Sequence, residues 1–382
     1  MDNYTPKLTS DSPLRSEQSV LPSLAESDSL RHYLQAATSN NTRTAYRSAI
    51  RQFEKWGGRL PTERDPLVRY LVAKADVMVE SFRAGALDRM GLGYDAVRAV
   101  NPNIIYCSIS GYGRTGPMAD KPGYDLIIQA YSGLMHLTGE PDGSPLRVGF
   151  SLVDLFTGMM AYGSILTALH HKQKTGEGQR IEAALLDGQV AAMSYHATGY
   201  MATGVEPHRL GSGHPSLVPY QSFPASDQHF ILGCGNQGLW ERLCPAIGRA
   251  DLLEDPRFST NTKRVENRAA CVETLSEIFQ TKTVAEWVEV ISDAGVPCGP
   301  INTVSQVIND AQVQARNMIV NMPHPNVPDL RVPNSPLKLE ATPSSIRRPP
   351  PLLGEHNEEL LTEQGYDAAK ISELRDKGVI GS

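Results

Sequence analysis

Residues 101–113 read NPNIIYCSISGYG. The run from Ile104 to Cys107 is apolar at successive positions, opens on Asn-Pro-Asn and closes on Gly-Tyr-Gly. A half-buried strand alternates, whereas a continuous apolar run between turn residues is a strand covered on both faces, as in a parallel sheet. Upstream, ADVMVESF (75–82) is a second apolar strand ending in a polar turn. Between the two, GALDRMGLGYDAVRAVNP (85–102) is a helix interrupted by glycines. Downstream come the helix YDLIIQAYSGLMHLTG (124–139), a helix from Ser151, and TGEGQRIEAALLDGQVAAM (175–193), read as turn, strand and helix. Strands alternating with helices define an α/β domain with parallel pairing.

The long apolar helix poses the functional question. RVGFSLVDLFTGMMAYGSILTALHH (147–171) holds one formal charge between Phe150 and His170, Asp154. A charge removed from water needs a partner or a shifted pKa. Ser151 as N-cap would place Asp154 at the third helical position, a capping-box arrangement favoured by the helix dipole. The same placement keeps the carboxylate ionised, which suits a nucleophile equally. Thr157, Gly158 and Ala161, on the same face in the next turns, are all small and leave room for a reactant. The apolar run Leu155–Leu169 is shorter than the twenty or so residues a bilayer requires, which predicts a buried helix and no membrane partner.

The bulk composition sets limits. With 382 residues, two or more domains are expected; 40% apolar and 20% charged residues are globular values. A net charge of −6 gives no chain-wide reason to bind nucleic acid. Cys107, Cys234, Cys244, Cys271 and Cys298 have no metal or redox spacing, and their odd number argues against a disulfide framework. No metal site and a reducing, cytoplasmic location are therefore expected. The first residues, MDNYTPKLTSDSPLRSEQ, lack the apolar core of a signal peptide.

The division expected along the chain is a polar tail at 1–23, a helical fragment at 24–71, a large α/β domain at 72–207, and a smaller α+β domain at 208–320. Residues 321–382 return to the large domain through a Pro-stiffened linker and a terminal helix. In the fragment, NTRTAYRSAIRQFEKWGGRLP (41–61) has Asn41 as cap, Tyr46, Ile50 and Phe53 as apolar face, and Gly57-Gly58 as its end. Arg43, Arg47, Arg51 and Lys55 form a basic stripe that is either a solvated face or a contact for DNA phosphates. This stretch resembles the helical core-binding domain of tyrosine recombinases, although the catalytic constellation of that family does not follow it.

Most of the chain from about Val72 resembles the class III CoA-transferase family. The motifs are the stretch from ADVMVESF to MHLTG (75–139), RVGFSLVDLFTG (147–158), TGEGQRIEAALLDGQ (175–189), GVPCGPINTV (295–304) and RPPPLLGEHNEELL (348–361). The resemblance implies a Rossmann-like large domain, Asp154 as nucleophile, and coenzyme A carried in and out as a substrate. It implies CoA contacts at Ser81, Phe82, Arg89 and Met90, with Arg89 on phosphate, and Tyr124 near the thioester. It also implies that the glycine loop in RLGSGHPSLVPYQSF (209–223) covers the aspartate. The matching positions are Gly211, Ser212, Gly213 and His214, whose imidazole could bind a substrate carboxylate. Tyr124 precedes Asp125 where the racemase branch of the superfamily carries a histidine base, which argues against racemase chemistry. Within the transferases the motifs look most like succinyl-CoA-dependent enzymes acting on glutarate and related dicarboxylates, acting as homodimers. The recombinase-like stretch occupies the place of the family's opening strand–helix–strand, so the large domain is expected to be N-terminally truncated. Two rival readings follow: a fusion remnant that binds CoA without turnover, and a DNA-binding protein.

Overall fold

The computed structural model describes residues 72, 75–363 and 366–380. The chain divides into compact units, one of them Arg69–Ile319 and another including Val320–Ser382. In the first unit β1 (Val77–Glu80) leads into α1 (Ala86–Arg89) and α2 (Tyr94–Val100), then β2 (Ile105–Ser110). The elements α3 (Asp125–Tyr131), α4 (Leu134–Leu137), α5 (Leu152–Thr175), β3 (Arg180–Ala184), α6 (Leu185–Ala192) and α7 (Ser194–Thr203) follow. The three strands form a parallel sheet in the order β1-β2-β3, with Glu80 opposite Ser108 and Ser108 opposite Glu182. As the sequence requires, β2 is the central strand, and Ile105, Tyr106 and Cys107 are buried.

The glycine breaks in 85–102 separate α1 from α2, but the expected single helix at 124–139 is also broken. Gly133 takes a φ of +89°, a left-handed value that suits glycine, and splits it into α3 and α4. Helix α5 runs 24 residues, beyond the apolar run, because Gly176 at φ +79° is its first stop. It is long and apolar enough to cross a bilayer by length and composition, with 22% of its most apolar window buried. Length therefore does not exclude a span, contrary to the sequence expectation. What speaks for a core role is packing: Val153, Thr157, Ala161 and Ala168 are its buried positions, and Ala161 and Ala168 join Ile105, Cys107 and Ile181 beneath the sheet. Leu155, Met159, Tyr162 and Leu166 remain exposed, so only one narrow face is covered.

A second core lies beyond residue 208. The antiparallel strands β4 (Tyr220–Pro224), β5 (His229–Gly233) and β6 (Cys298–Pro300) are ordered β4-β5-β6. Between β5 and β6 come α8 (Gln237–Ala246), a 3₁₀ turn (Ala250–Leu253), α9 (Asn261–Glu266), α10 (Arg268–Phe279) and α11 (Val284–Asp293). Phe223, Phe230, Trp240, Phe258, Phe279 and Trp287 fill this core. Thr283 and Glu286 form a reciprocal capping box at the start of α11. Helices α12 (Val304–Asn309) and α13 (Ala311–Ala315) end the unit. The other unit contains β8 (Leu330–Pro333), α14 (Asn357–Glu363) and α15 (Ala368–Asp376), and β7 (Ile319–Met322) at its start pairs with β8. All five cysteines are free thiols. The helical fragment of 24–71, with Arg43, Arg47, Arg51 and Lys55, lies outside the described residues.

Candidate active site

The candidate site is built outward from the carboxyl ends of the parallel strands. Ser81 and Phe82 turn out of β1, and the Phe82 amide donates to the buried Glu80 carboxylate at 2.8 Å. Arg114, in the loop after β2, reaches Glu80 at 3.5 Å and Asp88 of α1 at 3.0 Å, while its amide donates to Glu182 of β3. This network ties the corner after β1, helix α1 and the loop after β2 into one edge. Arg89 and Met90 end α1 at that edge, Arg89 exposed and lying against Gly85. Phe82 and Met90 expose large apolar surfaces beside it, 41% and 46%. A basic group with two exposed apolar side chains at a strand–helix corner can receive a phosphate-bearing nucleotide.

The loop after β2 then crosses itself. A side chain on Gly111 would stand 2.5 Å from the Cα of Gly123, so only glycines permit the crossing. Tyr124 follows directly, with an exposed ring, and Asp125 opens α3. Asp125 is 7% exposed. Its Oδ2 accepts from the amides of Val153 at 2.8 Å and Asp154 at 3.3 Å. Its Oδ1 accepts from Gln129 Nε2 at 2.6 Å, and Gln129 Oε1 accepts from the amide of Val148 at 2.9 Å.

This corrects the expected cap. Ser151 makes no side-chain cap bond, and the free amides at the start of α5 are satisfied by Asp125 from another helix. The carboxylate of Asp154 is thereby released from capping. It forms no hydrogen bond with any described residue and is exposed. Protein on its flank displaces part of its water, and this loss of solvation, followed by the charge of Asp125, pushes its pKa above the ordinary carboxylate value. One turn on, Gly158 has open space where a side chain would stand. The group is a solvent-facing carboxylate with raised basicity, a weak partner set and room for a large electrophile, which is what a carboxylate nucleophile needs.

The glycine turn is anchored rather than free. The Gly211 amide donates to Gly139 O at 3.0 Å, at a φ of +59°, with the Glu140 carboxylate 2.8 Å from where a Cβ would stand. Ser212 Oγ bonds Ser222 Oγ at 2.7 Å, and the Gly213 amide donates to Leu210 O at 2.8 Å. His214 Nδ1 accepts from the Ser216 amide at 3.1 Å, and its ring lies 5.8 Å from that of Tyr195 and 5.5 Å from that of Tyr220. His196 is held below the usual histidine pKa by burial and then by His214.

The structure thus brings Ser81, Phe82, Arg89 and Met90 to one corner, and links Tyr124 to Asp154 through Asp125. It places Gly211–His214 in a turn between residues 139–140 and β4. Sequence reasoning did not assign Asp125, Gln129, Glu80 or Arg114 to the site; the spacing of Asp125 and Gln129 on one helix face was the available signal for the first pair. An open groove of about 500 Å³ between α5 and β3, lined by Met160, Ser164, Thr167 and Arg180, lies farther along α5 and is distinct from this edge. Among the described residues no group of three His, Cys, Asp or Glu side chains could hold a metal ion.

An α/β chain with an uncapped, solvent-facing aspartate at a helix start has a carboxylate placed for covalent group transfer. Residues 60–357 match the model of CoA-transferase family III, and the chain belongs to that family. It is 40% identical over 315 residues to human succinyl-CoA:glutarate CoA-transferase, covering 82% of this chain and 72% of the relative. It is 40% identical over 305 residues to succinate–glutarate CoA-transferase of Agrobacterium fabrum, covering 78% and 74%. The crystal structure of a CAIB/BAIF family protein from Brucella suis superposes with a TM-score of 0.69 at 40% identity over 80% of each chain. The family match begins at residue 60, upstream of the boundary expected near 72.

Proposed function

We propose that this enzyme moves CoA from succinyl-CoA to a short dicarboxylic acid, with Asp154 as the covalent relay. The observation that carries the reading is the release of Asp154 from capping by Asp125. The similarity to two enzymes named for succinyl or succinate and glutarate supports the substrate class. An Asp154 Oδ attacks the thioester carbonyl; the C–S bond breaks, CoA thiolate departs, and a mixed anhydride remains. The thiolate then attacks the Asp154 carbonyl, releasing succinate and leaving an aspartyl-CoA thioester. An acceptor carboxylate displaces the thiolate to form a second anhydride, and the thiolate attacks the acceptor's acyl carbon. Asp154 is regenerated, with no net proton or redox change.

Covalent relay divides one exchange between carboxylates into steps of lower barrier. Each intermediate is open to hydrolysis, so water must be excluded, and the Gly211–His214 turn is the element we assign to that cover. With Nδ1 engaged as an acceptor, neutral His214 carries its proton on Nε2, a donor suited to the far carboxylate of a dicarboxylate. Ser81, Phe82, Arg89 and Met90 receive the nucleotide end of CoA, and Tyr124 flanks the thioester. The test is to mix purified enzyme with succinyl-CoA and a panel of dicarboxylates and follow new CoA thioesters by mass spectrometry. New thioesters from the parent and none from Asp154→Ala are expected. Equal products from both would overturn Asp154 as the relay, and none from folded parent enzyme would overturn the substrate class.

A further inference from the structure

We infer that Arg268 is a positioning residue of the transfer reaction, holding the backbone of residues 214 and 215 and with it the Gly211–His214 turn. The inference rests on reading that turn as the cover of Asp154. The turn is slung between two anchors. On its entry side Arg209 donates to Glu140 O at 3.3 Å and His136 O at 3.2 Å, and Gly211 is tied to Gly139. On its exit side three side chains grip the main chain of residues 214–218. Arg268 Nη2 donates to His214 O and Pro215 O, both at 2.9 Å. Asn261 Nδ2 donates to Ser216 O at 2.8 Å, and its Oδ1 accepts from the Val218 amide at 3.2 Å. Arg264 Nε donates to Val218 O at 2.7 Å.

The chemistry of the segment explains the grip. Pro215 and Pro219 have no amide hydrogen, so residues 214–219 cannot form a regular ladder; the His214 amide and Pro219 O find backbone partners, and the carbonyls of 214, 215, 216 and 218 take side-chain donors. Positions 261, 264 and 268 recur at helical spacing and supply them from one side of α9 and the start of α10. Their tasks differ. Arg264 is fully buried, stacks 4.7 Å from the Trp240 ring and also bonds Phe258 O, so it belongs to the core. Arg268 is only half-buried, and its two bonds fall on the last residue of the turn and the one after it. Fixing the His214 carbonyl while Ser216 fixes Nδ1 leaves the imidazole one orientation. When Arg268 is lost, the His214 amide still bonds Tyr220 O at 3.1 Å, but the His214 and Pro215 carbonyls lose their donor, the turn loosens, and water reaches the anhydride.

The test compares Arg268→Met, Arg268→Lys and Ile291→Ala, the last a wholly buried core residue of α11 that bonds no residue of the turn. One readout is the ratio of succinyl-CoA hydrolysed to CoA transferred. The other is hydrogen exchange at the amides of His214, Ser216 and Val218, which requires no turnover. Losing hydrogen bonds from a charged donor should raise the hydrolysis-to-transfer ratio of Arg268→Met about tenfold and speed exchange at those amides by a similar factor. Arg268→Lys, which keeps the charge and a donor, should fall between Met and parent. Ile291→Ala should lower Tm and leave the ratio at the parent value. Parent-like exchange and ratio in Arg268→Met would overturn the inference, as would an equal rise in Ile291→Ala. If Arg268→Met does not fold, a parent-like Arg268→Lys in both readouts overturns it. Absence of transfer by the parent would count against the functional reading, and the exchange arm would still decide the role of Arg268.

Discussion

Replacing Asp125 by Ala should loosen the start of α5. The carboxylate accepts two amides of that helix and one from Gln129, at 7% exposure. Losing a helix cap costs about 1 kcal/mol where water can replace it. Here the Val153 amide belongs to a residue with no exposed surface and would be left without a partner, which raises the cost to about 2 kcal/mol. The Asp154 amide lies nearer solvent and adds little. The total of about 2 kcal/mol is roughly thirtyfold in a local opening constant. Asp125→Asn keeps an acceptor and forfeits the favourable charge at the helix start, for about 1 kcal/mol. Hydrogen exchange of the α5 amides measures this directly, and it is preferable to a single melting temperature in a chain with more than one cooperative unit. The expected order is Ala fastest, Asn intermediate, parent slowest, with the first turns of α5 most affected. Parent-like protection of α5 in Asp125→Ala would refute the assignment of Asp125 as the cap.

Four further outcomes are expected. The acid limb of kcat/KM should lie above the ordinary carboxylate range, because Asp154 must be ionised to attack and its pKa is raised; Asp125→Asn should move that limb to lower pH, and an unmoved limb would count against the charge coupling. For stability the sign is opposite: an acid with a raised folded pKa weakens the fold as pH rises through that value, so Asp154→Asn should melt above the parent at neutral pH, with the gap closing in acid. Gly111→Ala should cost about 2 kcal/mol or more, since its Cβ would stand 2.5 Å from the Gly123 backbone; a melting curve unchanged by the substitution would show that the crossing yields. Arg89→Ala should raise KM for acyl-CoA severalfold with little change in kcat, an effect that fades as salt is added.

The α/β class was legible because the central strand carries its burial in its composition: Ile105, Tyr106 and Cys107 lie between elements on both sides, and no alternating pattern could imitate that. The small residues after Asp154 were readable only in part as room for a reactant: Gly158 is open, but Thr157 and Ala161 are buried positions of α5. Asp125 was not readable as the cap of α5, because the bond spans 28 residues and depends on the Gly111–Gly123 crossing. A local rule prefers the nearer Ser151, and tertiary structure overrides it. The grip of Asn261, Arg264 and Arg268 was hidden for a related reason: NTKRVENR reads as a solvated helix end, and its partners are backbone carbonyls, which leave no trace in side-chain pattern. The length of α5 was underestimated because apolar character ends before helical character does; Lys172 and Lys174 continue the helix to Gly176 and complement its dipole.

The most direct measurement of the central claim is mass spectrometry of the enzyme after brief reaction with succinyl-CoA, quenched in acid and digested. Asp154 as relay predicts CoA covalently attached to the peptide that carries it, lost on addition of a dicarboxylate acceptor and absent from Asp154→Ala. Transfer that proceeds with no adduct on that peptide, or an adduct on another residue that persists in Asp154→Ala, would contradict the account.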